Sequence, residues 1–240
     1  LPVMCEAIEA MMNRLRELPD SSAHDIDVEM THVTADIIFR TTFSTPLKGV
    51  EAHRVFSAFS RFQSLAPKLL LPKVFGVPWL VSPLDAWRSR KAAAEIRELL
   101  ESMIRPRYDA RQNGCPEAKQ DILAAMLDAR DPTMNAPFSF DELVDQVAML
   151  FLAGHETSAS AITWALYLVA QSPDIQDRLH REIEEFSSTS SSGFMNIHRM
   201  DLARNIFRET LRLFPPVGFL ARQSTKACQM RGKTVKARAS

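Results

Sequence analysis

No run of about 18 apolar residues occurs in the chain, so nothing in its 240 residues reads as a membrane span. Neither sign of charge prevails: 29 Lys and Arg face 29 Asp and Glu. That balance removes any electrostatic reason to expect nucleic acid or an anionic membrane surface as a partner. Cysteine is scarce. Cys5, Cys115 and Cys228 stand far apart, with no C-x-x-C pair and no Cys/His cluster at metal-ligand spacing. The expectation is a reduced, cytoplasmic protein.

What is present is globular material, 46% hydrophobic and long enough to bury a sizeable core. The chain opens on Leu1 rather than Met and stops at Lys236-Ala237-Arg238-Ala239-Ser240 without a helix-stop or tail composition. Both ends read as cut.

Helical periodicity dominates, and the class expected is mainly α with minor β. Residues 4 to 18 put Met4, Ile8, Met11, Met12 and Leu15 on one face, and Pro19 ends that helix. A second helix runs from Val28 to Thr42 until Ser44-Thr45-Pro46 breaks it. From Glu51 to Pro83, Phe and Leu bunch between Pro67, Pro72 and Pro78, a pattern that suits short apolar helices and loops. That stretch is either ordinary core or a lid over an apolar pocket. A long helix from Leu84 to about Tyr108 and a short one over Asp121–Leu127 follow. Strands are expected only near the end, around Val217 to Ala221 and Thr234 to Ala237.

The most informative segment begins at Ser139, which stands three residues before Glu142 at capping-box spacing. Apolar residues then run from Leu143 to Ala170, predicting a largely buried helix of about 30 residues. Its middle is Ala153-Gly154-His155-Glu156-Thr157. Glycine inside a helix costs roughly 1 kcal/mol against alanine, and a buried carboxylate without partners costs more. Local rules broken in this way gather at functional sites. Gly154 would leave room for something flat to lie against the helix, and the Thr157 hydroxyl can compete for a backbone carbonyl. A buried polar cluster bonding a neighbouring helix would explain the same residues.

Asp201 begins another helix, in which Glu209 and Arg212 share a face before Leu213-Phe214-Pro215-Pro216 ends it. Taken alone, such a pair is a commonplace surface contact.

Ala-Gly-His-Glu-Thr in a long apolar helix, then Glu-Thr-Leu-Arg-Leu-Phe-Pro-Pro about 50 residues later, then Arg222, together resemble the cytochrome P-450 family of haem-thiolate monooxygenases. The resemblance covers essentially the whole chain and implies a partial cytochrome P-450 fold, with residues 1–240 the central part of one domain incomplete at both ends. It implies that Glu156 and Thr157 are the catalytic pair that delivers protons to dioxygen. Ala153 and Gly154 would face the haem, while His155 points away. Arg222 would pair with a haem propionate, which suits a planar guanidinium; a surface arginine at a strand end is the other reading. Glu209 and Arg212 match the family's buried structural pair.

The chain also departs from the family's pattern. The proximal cysteine belongs to a Phe-x-x-Gly-x-x-x-Cys-x-Gly loop expected roughly 70 to 80 residues after the Glu-x-x-Arg helix, and this chain ends 28 residues after Arg212. Cys228, in Lys-Ala-Cys-Gln-Met-Arg-Gly, lacks the phenylalanine and glycines of that loop. No metal ligand is therefore assigned to any cysteine here. What the resemblance implies for the intact protein is haem, dioxygen, a small apolar organic substrate and a ferredoxin- or flavoprotein-type electron donor. This chain alone is expected to be inactive and not to hold haem stably, because thiolate donation is what favours O–O cleavage. The rival readings are the product of a truncated or decayed gene, and a helical binding protein that has kept only the scaffold.

Overall fold

A computed structural model describes residues 2–19, 23–46, 49–115, 119–130, 135–189, 199–218 and 224–237. The chain divides at Thr163 and Trp164 into two units, which are described separately.

In the first unit the helices are α1 (Pro2–Arg16), α2 (Ile26–Phe43), α3 (Gly49–Val74), α4 (Pro83–Gln112), α5 (Ile122–Asp128) and most of α6 (Phe140–Ala170). Their ends follow local chemistry. Asp25 caps α2 by accepting the Asp27 amide, and the helix stops at Ser44 in the left-handed conformation, φ 54°. Pro83 occupies the first turn of α4 behind its cap Ser82. Asp121 caps α5 at the Ala124 amide, 2.9 Å away. At α6 the expected capping box forms: the Glu142 amide donates to Ser139 Oγ at 3.3 Å, and the Ser139 amide donates back to Glu142 Oε2 at 2.9 Å.

One expectation fails over most of its length. The stretch read as short helices and loops is, up to Val74, a single 26-residue helix, α3, with Pro67 and Pro72 inside it. A turn at Gly76 (φ 71°) and a 3-10 turn over Pro78–Leu80 then lead into α4. Each proline removes one backbone hydrogen bond, at a cost of ~3 kcal/mol, but α3 packs along α4 and buries Ala58 and Phe59 completely. Burial of the first half outweighs the breaks in the second. The stretch is part core and part surface: Phe59 of α3 is buried, whereas Leu70 and Leu71 near its end, and Phe75, Trp79 and Leu80 beyond it, are exposed.

The main core gathers Phe39 and Phe43 from α2, Phe59 from α3, Leu100 and Ile104 from α4, Leu123 from α5, and Leu143, Val147 and Phe151 from α6. A second cluster joins Ala7, Met11, Met30, Val33 and Ala159. Two polar knots tie the helices together. Arg97 on α4 reaches Asp141 and Asp145 on α6, each at 2.7 Å. Arg107 on α4 holds both oxygens of Asp121 at 2.8 and 2.9 Å, and Ser44 donates to the same carboxylate at 2.8 Å.

The second unit carries the end of α6, then α7 (Pro173–Thr189), α8 (Asp201–Leu213) and a hairpin of β1 (Cys228–Met230) with β2 (Lys233–Val235). Sequence periodicity had not separated out α7. The strands are antiparallel, pairing Cys228 with Val235 and Met230 with Lys233, around Arg231 and Gly232, both at positive φ. The strand expected over Thr234–Ala237 is therefore β2, shifted, and its partner is Cys228–Met230. Val217 and Gly218 lie in no strand, and the rest of the Val217–Ala221 expectation falls outside the described residues. No α-helix of 18 residues or more is apolar enough to cross a membrane among the described residues.

Candidate active site on the central helix

The helix α6 presents two unlike faces. Phe151, His155 and Ala159 are buried, while Met149, Ala153 and Glu156 are exposed. The exposed set recurs at spacings of four and three, a ridge along one side of an otherwise apolar helix. A small residue, Ala153, stands in that ridge.

The Thr157 hydroxyl donates to the Ala153 carbonyl at 2.7 Å, the local competition expected of it. Glu156 has a partner that the sequence did not disclose: Gln63 Nε2, on α3, donates to its Oε2 at 2.6 Å. No spacing rule connects residues 93 apart, and Gln63 lies in the stretch read as broken by prolines. A second unforeseen contact comes from α2, where Thr34 Oγ1 lies 2.9 Å from the His155 carbonyl.

His155 lies on the buried face, its ring 5.0 Å from Phe151 and edge-on to Phe59 at 6.4 Å between centroids. Nδ1 is 2.7 Å from the Phe151 carbonyl, an acceptor only, so Nδ1 carries the proton and donates. Nε2 is buried with no hydrogen-bond partner among the described residues. Burial above all pulls the His155 pKa below its ordinary value, against the opposing pull of the Phe151 carbonyl and the nearby Glu156 charge. Burial thus favours the neutral ring, which faces the core rather than the exposed ridge.

Gly154 requires a correction. The room its missing side chain creates is filled from α2: a Cβ there would lie 2.7 Å from Ile38 Cδ1. Close approach of two helices, not open space for a flat ligand on that side, accounts for the glycine here.

In the second unit, Glu209 and Arg212 form the expected pair, with Nε at 2.8 Å and a terminal nitrogen at 2.6 Å from the two carboxylate oxygens. The Arg212 hydrogen bond holds the Glu209 carboxyl below its ordinary value. The expectation of a buried pair is not met: the Glu209 and Arg212 side chains are 55% and 66% exposed, because they project from a face of α8 that no described residue covers. Beside it runs an apolar groove of about 320 Å³, lined by Leu168, Ile175, Leu202, Ile206 and Leu213. The N-terminus of α8 is capped from α7, where the two oxygens of Glu182 accept the amides of Leu202 and Ala203 at 2.7 and 2.9 Å. Arg222 lies outside the described residues. The cysteines stand on α1, just after α4 and on β1.

Comparison with known proteins gives one answer. The family model described as Cytochrome P-450 matches residues 1–239. Cyclooctatin synthase of Streptomyces melanosporofaciens is 31% identical over 216 residues, covering 87% of this chain and 44% of that protein. Echinocystic acid 23-monooxygenase of Saponaria officinalis is 29% identical, covering 90% of this chain and 44% of its own length. Among solved structures, retinoic acid bound cyanobacterial CYP120A1 superposes with a TM-score of 0.77 and 26% identity over 99% of this chain and 50% of that one. The chain spans about half the length of the relatives it matches.

Proposed function

Because the chain belongs to the cytochrome P-450 family, we propose that the intact protein is a haem-dependent monooxygenase that inserts one atom of dioxygen into a small apolar organic substrate. Residues 1–240 are the central part of its catalytic domain, bearing the distal side of the haem site. The observation that carries this reading is the exposed ridge of α6: Ala153 and Glu156 outward, with the Thr157 hydroxyl bonded to the Ala153 carbonyl at 2.7 Å.

In this arrangement Ala153, with the backbone at Gly154, would lie against the face of the haem, and Arg222 would meet a propionate. Haem, when bound, supplies the centre where electrons and dioxygen meet. The chain's own residues do the rest. Glu156 offers an exposed carboxylate that exchanges protons with solvent, oriented by Gln63. Thr157 holds a hydroxyl one residue further on, which relays a proton by turning from the Ala153 carbonyl. Electrons would come from a ferredoxin- or flavoprotein-type donor, and the proposed compartment is the cytoplasm.

The test is coupling in the complete protein. Thr157→Ala is expected to leave haem content intact and to cut product formed per dioxygen consumed, by about tenfold or more if the hydroxyl acts in proton transfer. Unchanged coupling would remove Thr157 from the role.

A further inference from the structure

The acid at the site is held by a residue on another helix. Gln63, on α3, donates through Nε2 to Glu156 Oε2 at 2.6 Å. We propose that Gln63 is a positioning residue for proton delivery: it orients the Glu156 carboxylate without neutralising it. The inference rests on the reading of Glu156 given above.

Three features support it. First, the donor is an uncharged amide. A lysine or arginine in its place would fix Glu156 as an anion by charge pairing, whereas an amide bonds the carboxylate and leaves it able to take up and release a proton. Second, Glu156 bonds this amide, and the cations Arg61 and Arg97 are engaged elsewhere among the described residues. Arg61, two residues from Gln63, is taken by Glu95 on α4 at 2.6 Å. Arg97 is taken by Asp141 and Asp145. For His155, the neighbour on α6, burial favours the neutral ring, and Thr34 from α2 meets only its carbonyl. Third, the segment that carries Glu156 is pinned from behind by α2, with Ile38 against Gly154 and Thr34 at the His155 carbonyl. Its backbone is thereby set, and the side chain of Glu156 keeps its own rotational freedom, which Gln63 removes.

Gln63 itself stands at a soft place in α3. Pro67, four residues on, has no N–H to give the Gln63 carbonyl, so this turn lacks one hydrogen bond of the helix ladder. The amide can therefore follow the carboxylate through small movements without unwinding the helix.

The experiment uses the complete haem protein and four variants, each compared at equal haem content and with an unaltered reduced carbon-monoxide spectrum. Glu156→Gln is expected to lower product per dioxygen. Gln63→Leu, which keeps the bulk and removes the donor, should lower it by about tenfold, the worth of a hydrogen bond to a charged group. Gln63→Glu keeps length and polarity but sets two carboxylates together, so they share a proton and the pH profile of coupling moves upward by about a unit or more. A merely structural role would leave that profile in place. Gln63→Asn, too short to reach, should resemble Gln63→Leu. If Glu156→Gln lowers coupling while all three Gln63 variants keep the parent's coupling and pH profile, the positioning role is overturned and the reading of Glu156 stands. If Glu156→Gln is itself silent, that reading fails and this one falls with it.

Discussion

Residues 1–163 and 164–240 are built from the same kind of amphipathic helix, with opposite results. In the first unit Phe39, Phe59, Leu100, Ile104 and Phe151 are 2% exposed or less. In the second, Thr210 is the one buried side chain among the described residues, while Ile183, Phe207 and Leu213 remain 41–45% exposed. A hydrophobic pattern therefore tells which face of a helix wants cover, and it does not tell what covers it. The helices of the first unit answer one another, whereas α8, whose apolar and polar sides are sharply separated, meets only α7 and the end of α6 among the described residues, where Phe214 stacks on Trp164.

The largest effect that would sharpen this contrast is a matched pair of truncations. Phe151→Ala removes a ring packed 4.3 Å from Phe59 in a site that cannot collapse, and should cost ~3–5 kcal/mol in urea unfolding. Phe207→Ala, at 41% exposure, should stay within about 0.5 kcal/mol. Equal costs would mean that the two units are not different in kind.

Next in size comes the Arg107–Asp121 knot, which has no counterpart among the described residues of the second unit. Its side chains are 15% and 2% exposed, so Arg107→Ala strands a buried carboxylate and should cost ~3–5 kcal/mol. Burial alone would push the Asp121 carboxyl up, but hydrogen bonds from Arg107, the Ala124 amide and Ser44, with the Arg107 charge, carry it below its ordinary value. A depressed folded-state value means that the unfolded chain binds the proton first as pH falls. The stabilisation is then complete above about pH 5 and is withdrawn on descending through the unfolded value of about 4 toward the lower folded one. Asp121→Asn should flatten that acid limb in a pH series of urea midpoints; an unchanged slope would show that the limb belongs to other groups.

The sequence made some of this legible for reasons that can be named. The α6 helix carried its own start signal in Ser139 and Glu142, which was met, and its 31 residues match the length expected from the apolar run. The expectation that it would be largely buried was not met, since Met149, Leu166 and Tyr167 are exposed among the described residues. Glu209 and Arg212 were paired by spacing alone. Most of the failures come from distance along the chain, and one from an atypical turn. Two prolines argued locally against α3, and the burial of Phe59 that overrides them comes from α6. The hairpin was half missed because Arg231-Gly232 is not one of the usual Asn-Gly or Asp-Gly turn signals. Gln63 and Ile38 could not be read as neighbours of Glu156 and Gly154, since nothing in a linear pattern marks which helices touch.

A smaller effect tests whether α8 depends on its capping contact. Glu182 supplies both acceptors for the Leu202 and Ala203 amides, and Met200 at the cap position offers no side-chain bond. Glu182→Ala should cost ~1 kcal/mol. The loss should be local, appearing as faster hydrogen exchange at Leu202 and Ala203 with core amides of α4 unchanged. Slowed or unaltered exchange there would show that α8 holds its first turn without α7.

The smallest effect decides what Gly154 is for. Replacing it by alanine gains helix propensity of roughly 1 kcal/mol but sets a methyl 2.7 Å from Ile38 Cδ1. Because Cδ1 is the end of a side chain that can swing, the two terms should nearly cancel and Gly154→Ala alone should be close to neutral. Ile38→Val deletes that atom. In its background Gly154→Ala should stabilise, giving a double-mutant coupling of about 0.5–1 kcal/mol. Additive effects would mean that α2 does not set the need for glycine, and the reason would then have to lie on the exposed side of α6, where the haem is proposed to sit.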